Sequence, residues 1–249
     1  MLPRFVLILG SGRSGTSFLS RALNLNGLFL GKESDLMVTR NEPIPDNPLG
    51  HWENWKVFNI NKKLEFLNLE SFNSFKIFTK SYEGFEDDVK EIISELSVGK
   101  KQFGWKDPLM LYALDIWLPL LPEFKIVGIF RHPLKVAESD KIFHSTPYET
   151  TLGHWNFNNN HLLKLLKKYD GYLINFDWSK ELLVLAINRI SKLVGLSESA
   201  DINNWFSDNL KRSDKTYQKK YSISKENLEL LEKLIDYSDY SLKKLQIID

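Results

Sequence analysis

The chain has 249 residues, 43% of them hydrophobic, enough to bury a full core in a single domain spanning 1–249. Its 33 Lys and Arg against 32 Asp and Glu leave a formal charge of +1, so nothing calls for a long nucleic-acid track, and a local anion site in a neutral protein fits better. The lack of cysteine excludes disulfides, thiolate metal ligands and a cysteine nucleophile, and agrees with a reducing compartment.

Phe5–Leu9 is an apolar run of strand length, too short for a signal-peptide core or a membrane span. A soluble, cytoplasmic protein is therefore expected. The run stops at Gly10-Ser11-Gly12-Arg13-Ser14-Gly15-Thr16-Ser17 and becomes a helix pattern at Phe18–Leu23. This order gathers backbone N–H groups and the positive end of a helix dipole on one spot, which suits phosphate. Gly10-x4-Gly15 has nearly the spacing of a Walker A loop, but Thr16 stands where that loop has its lysine. The lysine holds the β- and γ-phosphates, so this loop is expected to hold a phosphate ester with no triphosphate behind it.

Residues 31–52, rich in Pro, Asn and Gly, read as a loop, and helices are expected over about 55–69 and over 85–97. Gln102–Lys106, Lys125–Phe130 and Tyr172–Phe176 read as further buried strands. Leu183, Ile187, Ile190 and Val194 repeat at helical spacing before Gly195, and the polar segment 197–223 reads as a flap. Strands alternating with helices predict an α/β fold: a three-layer, P-loop-type architecture with a central, mainly parallel sheet. A partly irregular helical cap is expected over the carboxyl ends of the strands, where ligands of such sheets bind.

A second anion signal lies at the end of the third strand, in Arg131-His132-Pro133. Pro133 suits the first position of a helix, and Ser139 falls on its second turn. A triphosphatase would place an acidic Mg²⁺ ligand at such a strand end; this chain places a permanent cation there. Two anion sites without an evident metal carboxylate imply a ligand with phosphates in two places. Taken alone, Arg131 reads as a helix-flanking surface cation and Ser139 as a solvent-facing serine. The pairing with the first loop is what favours a site.

Gly12-Arg13-Ser14-Gly15-Thr16-Ser17 resembles the 5′-phosphosulfate loop of sulfotransferases, and Ile129–Pro133 with Ser139 resembles their 3′-phosphate motif. Trp105-Lys106-Asp107-Pro108 is similar to the Lys-Asp-Pro element of protein-tyrosine and many bacterial members, and the resemblance runs to about residue 196. It implies a sulfotransferase that uses 3′-phosphoadenosine 5′-phosphosulfate (PAPS), releases 3′,5′-adenosine bisphosphate and needs no metal. Carbohydrate-, protein-tyrosine- and bacterial-type members commonly carry arginine at the place of Arg13, where phenol and steroid enzymes have lysine. The family's C-terminal Gly-rich, Lys-containing motif is not recognisable, and Arg212 with its basic neighbours is the candidate replacement.

The resemblance assigns Gly12, Arg13, Ser14, Gly15, Thr16, Ser17, Arg131 and Ser139 to the nucleotide, and Arg212 joins them as the candidate replacement for the unrecognised motif. Arg13, Glu53 and Lys106 take the catalytic roles. Glu53 is the first choice of base, because Trp52 and Trp55 are expected to desolvate it. Glu33 and His51 follow. The acceptor is a hydroxyl of a glycan, lipid or small molecule, its identity and the oligomeric state being unreadable. Two other readings stand beside this one: a P-loop nucleotide kinase or triphosphatase, suggested by the Walker-like spacing, and a non-catalytic nucleotide-binding protein of the same fold. The five histidines show no metal-ligand spacing, and His132, His144, His154 and His161 read as structural.

Overall fold

A computed structural model describes residues 5–38, 47, 50–72, 84–199, 201–202 and 222–249, with only the backbone for 64–72. Four strands form one parallel sheet in the order β2-β1-β3-β4: β1 (Phe5–Leu9), β2 (Phe103–Lys106), β3 (Phe124–Phe130) and β4 (Tyr172–Asn175). β1 pairs with β2 from Phe5↔Phe103 to Ile8↔Lys106, and with β3 from Phe5↔Phe124 to Leu9↔Gly128. The chain therefore steps from β1 to opposite sides of the sheet, and the carboxyl end of β1 is the switch point at which a crevice opens.

All five β1 residues are buried, as a strand covered on both faces requires. Phe5, Leu7 and Leu9 join one core with Trp105, Trp117, Ile126 and Phe130; Val6 and Ile8 join the other with Leu19, Leu23, Ile129 and Ile187. The two-residue period of the strand thus feeds two cores. Helices α1 (Thr16–Leu25) and α7 (Lys180–Leu193) contribute to the second core. α2 (Trp55–Phe72), α3 (Phe85–Ser97), α4 (Met110–Trp117) and α6 (Tyr148–Lys168) contribute to the first, and α5 (Pro133–His144) joins β3 to α6. These layers are the α/β architecture expected from the alternation of strands and helices.

The last helix, α8 (Lys225–Lys244), was not foreseen from the sequence, although Leu230, Leu234, Tyr237 and Ser241 lie at helical spacing and are buried. It covers the free edge of β4, where the Leu173 N–H donates to Ser241 Oγ at 3.0 Å. α4 and the full length of α6 also exceed the sequence reading.

Candidate active site

The loop between β1 and α1 has a tightly packed inner side and an open outer one. A Cβ on Gly10 would stand 2.5 Å from the Ile129 carbonyl oxygen, and one on Gly15 would enter the Phe176 ring at 2.6 Å. Gly15 also has φ of 89°, in the left-handed region. Gly15→Ala is expected to lower stability by about 2 kcal/mol or more, through both overpacking and the backbone penalty. Thermal unfolding measures this directly. Around Gly12, by contrast, a Cβ would meet nothing within 4 Å. Ser14 Oγ is buried without a hydrogen-bond partner among the described residues, and no side chain caps the N-terminus of α1. Buried hydroxyls and helix-start N–H groups are costly to leave unpaired and fit an oxyanion.

The structure joins the loop after β1 to α5. Arg13, at φ of 62°, donates from Nε to Ser139 Oγ on α5 at 3.1 Å, and its guanidinium carbon lies 4.9 Å from the centre of the Phe143 ring. Ser139 is buried rather than solvent-facing, and Arg131 is 3% exposed rather than a surface cation. The Arg131 carbonyl accepts from Trp155 Nε1 at 3.0 Å, which fixes the end of β3, and Pro133 begins α5 as expected.

The end of β2 brings a third group to the loop. Lys106 Nζ donates to Ser17 Oγ at 3.3 Å and forms a close ion pair with Glu53 Oε1; the two side chains are 2% and 7% exposed. Glu53 is 5% exposed and its ion-pair partner is Lys106, while Trp55 is 48% exposed. α2 begins two residues after Glu53, at Trp55. Glu33 lies exposed on a 3-10 turn (Glu33–Asp35), and His51 is half-buried with Nδ1 3.5 Å from Asn47 Nδ2. Arg212 and most of the segment 197–223 lie outside the described residues, as do 39–46 and 48–49 of the loop 31–52.

Asp107 follows Lys106 at the end of β2. Its Oδ1 accepts from the Leu109 N–H at 2.7 Å, while the carboxyl is buried beside Glu53. Burial first, then the charge of Glu53, pushes it up to about 7, against the opposing pull of the Leu109 N–H, Lys106 and Asn61. Between 3.8 and about 7 the folded protein therefore keeps a proton that the unfolded chain releases, and stability falls as pH rises through that window. Asp107→Asn keeps an acceptor for Leu109 and cannot ionise. Its melting temperature relative to wild type is expected to be higher at pH 8 than at pH 5, read from thermal unfolding at both.

Two neighbours of the site escaped the sequence reading. Phe176 fills the space between Gly15 and Arg131, with the Arg131 guanidinium carbon 5.4 Å from its ring centre. Asp177 accepts from the His132 N–H at 2.8 Å and from Lys135 Nζ at 2.9 Å, and lies 3.6 Å from Arg131 Nε. Burial works against its charge, but the His132 N–H, Lys135 and Arg131 hold its carboxyl below the usual range. The available signal was an acid directly after a buried strand, at the end of the sheet where ligands bind.

A parallel α/β sheet carries a Gly-rich loop at its switch point, a buried arginine at the neighbouring strand end and a lysine–carboxylate pair beside them. The chain matches the sequence model of the Sulfotransferase family over residues 3–177, and it belongs to that family. It is a sulfotransferase. The fold is shared with the sulfotransferase domain of the Synechococcus PCC 7002 olefin synthase, at 17% identity over 94% of this chain and 95% of that one, with a TM-score of 0.59. A sulfotransferase from Alicyclobacillus acidocaldarius is similar at 14% identity over 99% and 95% of the two chains, with a TM-score of 0.45. No curated protein matches the chain significantly.

Proposed function

We propose that the enzyme transfers a sulfuryl group from PAPS to an acceptor hydroxyl. The observation that carries this reading is the 3.1 Å bond from Arg13 Nε to Ser139 Oγ, which joins the loop after β1 to the helix after β3. The motifs that resemble 5′- and 3′-phosphate sites thus lie within reach of one nucleotide. When bound, the donor supplies a sulfuryl group activated on a phosphate oxygen.

Gly12, Ser14, Gly15, Thr16 and Ser17 would hold the 5′ end through loop N–H groups and hydroxyls, and Arg131 with Ser139 the 3′-phosphate. Arg13 stays protonated, so it acts by offsetting negative charge that builds up at the loop rather than by donating a proton. Glu53 takes the acceptor proton at its carboxylate. It is chosen over Glu33 and His51 because it is buried and joined through Lys106 to Ser17 of the loop. Lys106 therefore links the group that accepts the proton to the place where charge accumulates. None of the described helices is long and apolar enough to cross a membrane.

Incubation with sulfur-labelled PAPS and a panel of glycans, lipids and phenols tests the reading. Label is expected on at least one acceptor class, with Glu53→Gln losing the transfer while retaining nucleotide binding. A protein that binds neither PAPS nor 3′,5′-adenosine bisphosphate overturns it.

A further inference from the structure

We infer that Asp177 is a positioning residue, orienting the Arg131 guanidinium so that the enzyme prefers a 3′-phosphorylated nucleotide to one without that phosphate. This rests on the donor reading above and deepens it, since Asp177 belongs to neither of the motifs that resemble phosphate sites.

One carboxylate serves three groups of the β3–α5 corner. Oδ2 accepts the His132 N–H at 2.8 Å, while Oδ1 accepts from Lys135 Nζ at 2.9 Å and faces Arg131 Nε at 3.6 Å. The preceding residue supports the same guanidinium on its face, with the Phe176 ring centre 5.4 Å from the guanidinium carbon. The register between the two segments is pinned by the Phe176 N–H, which donates to the Phe130 carbonyl at 2.8 Å. Two consecutive residues thus flank Arg131: Asp177 pairs with its edge by charge across 3.6 Å, without a hydrogen bond to Nε, and Phe176 lies on its face. A planar, permanently charged group held this way loses little freedom when an oxyanion arrives.

Asp177 does this without making the corner repellent to anions. Lys135 neutralises it, and Arg131 together with the N-terminus of α5 leaves the corner positive. α5 has no acidic residue in its first turn and no side-chain cap of its own, so Asp177 also serves as the missing acid there. A purely structural cap and a positioning residue make different predictions. Loss of a cap lowers stability and weakens all nucleotides alike. Loss of positioning falls on the 3′-phosphate alone.

The test is calorimetric titration of the full chain with 3′,5′-adenosine bisphosphate and with 5′-AMP, for wild type, Asp177→Asn and Asp177→Glu, with thermal unfolding as the check on folding. Asp177→Asn is expected to weaken the bisphosphate about ten-fold, through a guanidinium that loses its opposing charge and must be ordered by the ligand, and AMP by less than about two-fold. Asp177→Glu keeps the charge and is expected to retain most of the preference. If the Asn protein is unstable, Asp177→Ser, which is also neutral, carries the same expectation for the ratio of the two affinities. A wild-type preference that survives in the neutral variants, or an equal loss for both nucleotides, overturns the role of Asp177 and leaves the donor reading standing. Equal wild-type affinity for the two nucleotides overturns the donor reading, and this role with it.

Discussion

Replacing Arg13 by alanine is expected to lower kcat/KM for sulfuryl transfer by about a hundred- to a thousand-fold, the scale of losing one preorganised group that offsets transition-state charge. The guanidinium is placed for this by its loop position and by its bond to Ser139 at 3.1 Å. Arg13→Lys keeps the charge but not the planar fork, and is expected to fall between wild type and alanine. The backbone supplies a control. Arg13 adopts φ of 62°, a conformation that glycine accepts without strain. Arg13→Gly is therefore expected to be as inactive as Arg13→Ala and at least as stable to heat. Steady-state kinetics with labelled donor, paired with thermal unfolding, separates the two effects; activity of Arg13→Ala within about three-fold of wild type would remove Arg13 from the mechanism.

The second large effect is on Lys106. Lys106→Met is expected to abolish transfer and to destabilise the fold by about 3–5 kcal/mol, because it strands the buried carboxylate of Glu53 without its partner. For a chain of this size that corresponds to a drop in melting temperature on the order of 10 °C. Lys106→Met combined with Glu53→Gln removes both charges and is expected to recover most of the stability while remaining inactive. The cycle distinguishes a charge pair from packing: if the double variant is as unstable as the sum of the two single ones, the pair is uncoupled and the assignment fails.

Much of this fold was legible because its signals are local. Phe5–Leu9 and Phe124–Phe130 are apolar runs bounded by turn or helix-start residues, and burial on both faces of a parallel sheet is what permits an unbroken apolar run. Pro133 announced α5, and the Gly-rich stretch before Thr16 announced the loop. α8 was missed although its buried positions repeat at helical spacing, and its function of covering the edge of β4 depends on a contact across 68 residues, from Ser241 to Leu173. The neighbours of Glu53 were likewise not readable: adjacent tryptophans suggested desolvation, but the group that meets Glu53 is Lys106, 53 residues away.

The candidate groups were readable along the chain: a Gly-rich loop before a helix, a cation at a strand end, a lysine and several candidate bases. Residue type and short spacing are sufficient for that, since each of these motifs is built from consecutive residues. Tertiary structure decided how they combine. The order β2-β1-β3-β4 puts the ends of β1, β2 and β3 side by side, so that Arg13 meets Ser139 and Lys106 meets both Ser17 and Glu53. It also brought in Asp107, Phe176 and Asp177, whose roles come from burial and from partners distant in sequence. Strand pairing fixes such distances to within a hydrogen bond, and no spacing along the chain encodes them.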